Sequence, residues 1–97
     1  MANLNSTRIE RRRLGKTDLL VTPIGLGCWQ FGGRGRTTSA IWKSPPQEEI
    51  NNMVKAALDG GINWFDTAEA YGSGASERAL ATALCKTDVA NRDVVIA

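Results

Sequence analysis

The chain has 97 residues, of which 42% are hydrophobic and 23% are charged. This length allows one domain at most, and the composition is that of a globular protein, which excludes a disordered tail. The formal net charge of +2 is too balanced to indicate a nucleic-acid partner. Because the chain has no histidine, it can form neither a histidine metal site nor a Ser-His-Asp triad by itself. We therefore expect no nucleic-acid partner and no metal.

The start of the chain is basic but lacks the marks of a targeting sequence. The stretch MANLNSTRIERRR has no apolar core of the kind that a signal peptide needs. We expect residues 1–11 to form a loose basic leader, in which the arginine run is a solvated face rather than a binding patch. No apolar run approaches the roughly 18 residues of a membrane span. Cys28 and Cys85 lack CxxC spacing, so we predict two reduced thiols and a cytoplasmic protein.

Two short strands and a glycine-rich segment follow the leader. The stretches RRRLG and LLVTPIGLG on either side of the turn-prone Lys16-Thr17-Asp18 predict two short strands of a hairpin. Residues 25–36, GLGCWQFGGRGR, begin as a strand and continue as a loop. Gln30 replaces the third glycine of GxGxxG, and Gly33 stands where GxxxxGK requires lysine. The segment is either a plain flexible loop or a loop that faces a ligand.

The next element is an amphipathic helix that we predict over residues 45–59. Ser44 and Gln47 have the spacing of a capping box, with Pro45 at the first helical position. The pair Gly60-Gly61 predicts the end of the helix, because glycine adopts the left-handed conformation readily. One apolar stripe at helical spacing contains Ile50, Val54, Ala57 and Leu58.

A short strand over residues 62–66 ends in Asp66, and a second helix begins near Ser76-Glu77, with Leu80 and Leu84 on one face. The apolar run within residues 93–97 predicts a strand buried on both faces. Strands that alternate with helices indicate βαβ units and a parallel sheet. Three strands with two helices leave both sheet edges open, which is typical of the front of a larger domain.

The most promising chemistry lies in the loop after the second strand. Ligands of parallel α/β folds collect at the carboxyl ends of the strands, where Asp66 and then Tyr71 occur. A carboxylate and a phenol in this position suggest proton transfer, with a cation held by the carboxylate. Lys55 and Lys86 are not obvious candidates for that cation. The structural alternatives are that Asp66 caps the amides that follow it and that Tyr71 is a packing residue.

Four stretches of the chain resemble the N-terminal third of an aldo-keto reductase. They are RRLGKTDLLVTPIGLGCWQFGG, GINWFDTAEAYGSGASERAL, the AL before Cys85, and RDVVIA. The resemblance implies an α/β fold in which residues 12–97 form part of a (β/α)8 TIM barrel with an N-terminal β-hairpin, about the first two and a half βα units. The hairpin would then be residues 12–24, and the barrel strands would be residues 25–29, 62–66 and 93–97.

The resemblance implies an NADPH-dependent oxidoreductase that reduces a small-molecule carbonyl to an alcohol. By position, Tyr71 resembles the family's proton donor, and Asp66 resembles the catalytic aspartate that also lies near the nicotinamide ribose. Cys28 and Trp29 match positions that border the cofactor. The family's catalytic lysine and histidine are not in this chain. The sequence indicates neither the carbonyl substrate nor the oligomeric state.

Three functional hypotheses stay open. The chain is part of a reductase, or a non-catalytic nucleotide-binding regulatory subunit that resembles potassium-channel β subunits, or a truncated product without activity. Because the family barrel needs about 250 residues, we expect residues 1–97 alone neither to fold stably nor to reduce carbonyls. Trp29, Phe31 and Trp64 suggest an aromatic wall near the site, although Trp64 could instead point into the helix layer.

Overall fold

The computed structural model describes residues 10–32, 45–87 and 93–97 of the chain. Within these ranges a β-hairpin is followed by three strands that alternate with two helices. The elements in chain order are β1 (Arg12–Arg13), β2 (Leu20–Val21), β3 (Leu26–Gly27), α1 (Gln47–Asp59), β4 (Trp64–Asp66), α2 (Ala75–Cys85) and β5 (Val95–Ile96). Short 3-10 turns follow β3 and β4, at Trp29–Gly32 and Tyr71–Gly74. The predicted element order is confirmed.

The hairpin closes through a turn of six residues. β1 pairs with β2 in antiparallel register, with Arg12 opposite Val21. The Leu14 amide donates to the Leu19 carbonyl at 2.9 Å, and Gly15 adopts a φ of 58°, which glycine tolerates without steric cost. The arginine run is paired rather than bare. Its ion pairs join Arg11 to Asp93, Arg12 to Glu10 and Arg13 to Asp18.

The other three strands form a parallel sheet in the order β3-β4-β5. Leu26 lies opposite Phe65 and Gly27 opposite Asp66, and Phe65 lies opposite Ile96 on the other side. Partners at one level of a parallel sheet point to the same face. Phe65 is fully buried, so its face is the one that the helices cover, and Asp66 lies on the opposite face.

The core lies between this sheet face and the two helices. The predicted stripe of α1 is buried in full, which confirms the helical period of the sequence. Leu80 and Leu84 of α2 are buried with their alanine neighbours. The buried hydrophobic residues are Cys28, Phe31, Ile50, Val54, Ala57, Leu58, Phe65, Ala79, Leu80, Ala83 and Leu84. No helix of the described ranges is both long and apolar enough to cross a membrane.

The start of α1 was predicted two residues too early. Pro46 is the residue before the helix, with φ −57° and ψ 151°, and no side chain caps it. Pro45 precedes another proline, which disfavours helical backbone at Pro45 for steric reasons. Gln47 Nε2, in the side chain of the predicted capping box, donates instead to Asn51 Oδ1 and the Ala79 carbonyl. Ser44 lies outside the described residues.

The end of α1 is as predicted. Gly61 has a φ of 99°, and its amide donates to the Leu58 carbonyl at 3.0 Å. The Ile62 amide donates to the Ala57 carbonyl at 2.9 Å, which completes a Schellman motif. This turn directs the chain straight from α1 into β4.

The strand within residues 93–97 is not buried on both faces. Ile96 is 54% exposed, although it lies on the helix-facing side beside α2. A groove of about 360 Å³ separates it from that helix, and its lining includes Leu80, Leu84 and Ile96. No described residue fills this groove. The prediction of a strand buried on both faces, which rested on the apolar run alone, is therefore wrong for β5.

A buried polar network attaches the hairpin to the start of β4. The Thr22 amide donates to Asn63 Oδ1 at 2.9 Å, and Asn63 Nδ2 donates to the Leu20 carbonyl at 2.7 Å. Trp64 Nε1 donates to the Thr22 carbonyl at 2.8 Å. Both Thr22 and Asn63 are 2% exposed. These hydrogen bonds fix the position of the hairpin relative to β4, because breaking any of them would leave a buried polar group unpaired.

Gly25 and Gly27 provide a matched test of how closely Trp64 packs. A Cβ at Gly25 would overlap the Trp64 indole ring, whereas a Cβ at Gly27 meets nothing within 4 Å. We expect Gly25→Ala to lower the free energy of unfolding by about 1–3 kcal/mol, as overpacking does. Gly27→Ala should lower it by less than about 1 kcal/mol. The measurement is chemical unfolding of a folded protein that carries each substitution, and equal losses would contradict this packing.

Candidate active site

The turns after β3 and β4 lie side by side at the carboxyl ends of the strands. The Cys28 amide donates to the Asp66 carbonyl at 2.8 Å, which extends the pairing of the two strands by one residue. Farther along, the Gly32 backbone approaches the Gly72 backbone so closely that a Cβ at Gly72 would overlap it. The glycine-rich segment therefore makes a close backbone contact with the turn after β4. Residues 33–36 of that segment lie outside the described ranges.

Asp66 presents an exposed carboxylate at the end of β4. Its neighbour Phe65 is 0% exposed, and the alternation of side chains places Asp66 on the other face of the sheet. The carboxylate forms no hydrogen bond or ion pair with the described residues. The structural alternative for Asp66 is not realised at Thr67, because the Thr67 amide donates to the Ala97 carbonyl at 2.9 Å.

Tyr71 is half-buried in a tight turn between β4 and α2. Its amide donates to the Ala68 carbonyl at 3.1 Å. The next three residues all have positive φ: Gly72 at 61°, Ser73 at 55° and Gly74 at 98°. A non-glycine residue such as Ser73 pays a steric cost for this conformation, which persists only where the surroundings impose it. The turn that carries Tyr71 is therefore constrained on both sides, by β4 and by α2.

Cys28 and Trp29 differ in their access to the open face. Cys28 is 0% exposed and belongs to the core beneath the helices, whereas Trp29 is 38% exposed. Burial raises the pKa of the Cys28 thiol to about 11, and the negative charge of Asp66 adds to the shift. A role for Cys28 beside a cofactor stays a prediction, and its side chain has no exposed surface with which to make that contact.

The predicted aromatic wall is wrong for two of its three members. Trp64 packs against Gly25 and bonds the Thr22 carbonyl, so it lies toward the hairpin and not in the helix layer. Phe31 is 4% exposed and belongs to the core. Trp29 alone of the three keeps a large exposed surface. Trp64 and Asp66 lie on the same face of the sheet but at opposite ends of β4. The sequence pattern did not show at which end of the strand Trp64 lies.

A pair of hydroxyl groups was missed by sequence reasoning. Ser76 is 0% exposed, and its Oγ donates to the Cys28 carbonyl at 2.6 Å. Its Oγ also lies 2.8 Å from Thr67 Oγ1. A signal for Ser76 was available, because it precedes the buried residues Ala79 and Leu80 by three and four positions and so lies on the apolar stripe of α2. Thr67 had no comparable signal.

The two lysines that could supply a cation to Asp66 lie in and after the helices. Lys55 Nζ lies 2.6 Å from Asp59 within α1, and Lys86 follows the end of α2. Neither residue is paired with Asp66. No cluster of three or more metal-binding side chains occurs among residues 10–32, 45–87 and 93–97. At this edge the described residues offer a ligand the carboxylate of Asp66, the phenol of Tyr71 and the indole of Trp29.

The two cysteines should react very differently with alkylating agents. Cys85 is exposed and Cys28 is buried. With a pKa of about 11, only about one Cys28 in a thousand is a thiolate at pH 8. We expect iodoacetamide at pH 8 to modify Cys85 in the folded protein and to leave Cys28 unmodified, as measured by peptide mass mapping. Both should react in denaturant. Equal rates in the folded protein would contradict the burial of Cys28.

Known proteins are similar to this chain in sequence and in fold. The Aldo/keto reductase family model matches residues 23–97. The aldo-keto reductase YhdN of Bacillus subtilis is 34% identical over 88 residues, which are 91% of this chain and 24% of that protein. The chain thus spans about a quarter of the length of such relatives.

Two solved structures superpose on most of the chain. The glycerol dehydrogenase AKR11B4 of Gluconobacter oxydans gives a TM-score of 0.66 at 29% identity, covering 97% of this chain and 25% of that one. The holo form of the aldo-keto reductase AKR11C1 of Bacillus halodurans gives a TM-score of 0.64 at 26% identity, covering 89% and 24%. The predicted architecture, a hairpin followed by the first parallel strands of a TIM barrel, is confirmed by these neighbours, and the chain belongs to the aldo/keto reductase family of oxidoreductases.

Proposed function

We propose that this chain supplies the proton-donating part of an NADPH-dependent carbonyl reductase. The observation that carries the proposal is the exposed Asp66 carboxylate at the carboxyl end of β4. It has no partner among the described residues, it lies beside the end of β3, and Tyr71 follows in the next turn. In TIM barrels the active site lies at this edge of the sheet, and its catalytic residues come from the ends of the strands. Family membership supplies the reaction class, which is the interconversion of a small-molecule carbonyl and an alcohol.

The residues present are chemically suited to one end of NADPH. A carboxylate such as Asp66 accepts hydrogen bonds from ribose hydroxyls, and the exposed indole of Trp29 offers an apolar surface to a flat ring. Gly27, opposite Asp66, leaves open space where a side chain would stand. We place Cys28 beneath this surface, where it orients Trp29 and Asp66 through its backbone. The choice of NADPH over NADH rests on family resemblance.

In this proposal Tyr71 donates a proton to the carbonyl oxygen of the substrate. The bound cofactor supplies the hydride that reaches the carbonyl carbon, so hydride and proton together give the alcohol. Asp66 holds a cation beside the phenol, which stabilises the negative charge that the phenol gains as it gives up its proton. Tyr71 is suited to this role because its turn is constrained by positive φ angles and by contact with the turn after β3.

We also propose a reducing compartment such as the cytoplasm. The support is that Cys28 and Cys85 are both free thiols.

Substitution of Tyr71 tests the catalytic role directly. In a full-length barrel that carries these residues, we expect Tyr71→Phe to lower kcat for carbonyl reduction by about 10²–10⁴-fold, as loss of a general acid does. Dissociation constants for NADPH, measured by quenching of tryptophan fluorescence, should change less than about threefold, because the phenyl ring is kept. Activity close to that of the parent would contradict the role of Tyr71.

The same assay separates the reductase from the regulatory hypothesis. A parent protein that binds NADPH but reduces none of a panel of aldehydes and ketones would support a nucleotide-binding regulatory subunit.

Asp66→Asn keeps the size of the side chain and removes its charge, so in a reductase we expect kcat to fall at least about tenfold through loss of the held cation.

The chain of residues 1–97 should be inactive in isolation. Among the described residues β5 has no partner on its outer edge, and Ile96 is largely exposed. A three-stranded sheet under two helices buries little surface. We expect neither a cooperative thermal transition by circular dichroism nor consumption of NADPH with carbonyl substrates. A cooperative transition together with NADPH consumption by the purified chain would overturn this expectation.

A further inference from the structure

We infer that Ser76 and Thr67 are positioning residues that clamp the turn carrying Tyr71, an inference that rests on the proposed function. Ser76 is the second residue of α2, whose N-cap is Gly74 without a side-chain cap bond. Its hydroxyl therefore does not serve the helix that contains it. Instead it reaches the Cys28 carbonyl, 48 positions away in sequence, at 2.6 Å. A buried hydroxyl at this distance binds the end of β3 to the start of α2.

The direction of the hydrogen bonds follows from the number of protons. A hydroxyl has one proton, and a carbonyl oxygen can only accept. Ser76 donates its proton to the Cys28 carbonyl, so Thr67 must be the donor across the 2.8 Å between the two hydroxyl oxygens. The chain of donors thus runs from Thr67 through Ser76 to Cys28. Bonds aligned in this way polarise and strengthen one another in a buried setting.

The donor chain closes a ring of bonds that joins the ends of β3 and β4 to the start of α2. The Cys28 amide donates back to the Asp66 carbonyl at 2.8 Å, and Asp66 is covalently joined to Thr67. Both polar groups of the Cys28 backbone are thereby fixed, and the carbonyl of the residue that bears the catalytic carboxylate is held in the same ring. The Thr67 amide adds a bond to the Ala97 carbonyl at 2.9 Å, which links the ring to the end of β5.

The bond between Thr67 and Ser76 also closes the base of the loop that contains Tyr71. Residues 68–75 lie between the two hydroxyls, and their backbone includes the strained positive φ angle of Ser73. A strained loop relaxes when its ends are released. We expect the clamp to hold the phenol in its donating position relative to Asp66, without touching substrate or cofactor.

Three substitutions in a full-length barrel carrying these residues test the clamp. Ser76→Ala removes the central hydroxyl, Thr67→Val removes the donor but keeps the shape, and Thr67→Ser keeps the donor. We expect kcat to fall at least about tenfold in Ser76→Ala and Thr67→Val, since small misplacements of catalytic groups are costly. Thr67→Ser should stay within about twofold of the parent, and KM should change less than kcat in all three.

A core substitution far from the clamp provides the control for stability. Leu84→Ala lies near the other end of α2, is buried, and takes part in none of these bonds. It should lower Tm at least as much as Ser76→Ala does but leave kcat within about twofold at a temperature where both variants are folded. An equal loss of kcat in Leu84→Ala, or a parent-like kcat in Ser76→Ala, would overturn the clamp.

Hydrogen–deuterium exchange separates failure of the clamp from failure of the proposed function. In Ser76→Ala, amides of residues 68–74 should exchange at least about tenfold faster than in the parent, while Leu84→Ala leaves them unchanged. This readout does not depend on catalysis. If Tyr71→Phe proves fully active, faster exchange still supports the clamp and removes only the catalytic role. Unchanged exchange in Ser76→Ala overturns the clamp whatever Tyr71 does.

Discussion

The register between β3 and β4 decides which side chains reach the open edge of the sheet. Gly27 lies opposite Asp66 and Leu26 opposite Phe65. A slip of one residue would turn the Asp66 carboxylate into the apolar core and bring Phe65 out of it. Exposing a fully buried phenylalanine costs about 2–3 kcal/mol, and burying an unpaired carboxylate costs more. The packing of Phe65 therefore positions Asp66, although the two side chains lie on opposite faces.

Most of the architecture could be predicted because local patterns encode it. The four stripe residues of α1 repeat with the helical period, and Gly61 supplies the left-handed residue that ends the helix. The early start of α1 was an avoidable error, since the restriction that Pro46 places on Pro45 is itself a local rule. Burial of β5 was not predictable in this way. An apolar run such as Val94-Val95-Ile96 shows that a strand can be covered, but coverage depends on elements elsewhere in the fold.

The sequence indicated where the candidate-site residues lie along the strands, but it did not indicate the contacts among them. A topological rule selected Asp66 and Tyr71, because one is the last residue of β4 and the other lies in the turn that follows it. Cys28 lies two residues after Leu26, so the alternation of a strand places it on the same helix-facing side. The hydroxyl of Ser76 meets the Cys28 carbonyl only because α2 begins against the end of β3. Contacts across 48 positions depend on the tertiary packing of whole elements. A period within one segment cannot reveal them.

The charge at the open edge shows what this part of the fold requires from the rest. Burial raises the pKa of the Cys28 thiol, and the neighbouring Asp66 carboxylate raises it further, so this carboxylate disfavours a second anion close to it. A cation held at the carboxylate would offset that effect. Lys55 cannot relieve it while it is bound to Asp59 within α1. A proton-donating site built on Asp66 and Tyr71 therefore needs a cation that the ion pairs among the described residues do not bring to Asp66. The Asp66 carboxylate is exposed and therefore accessible to such a cation. In a barrel, the loops that follow the other strands can bring side chains to this edge of the sheet.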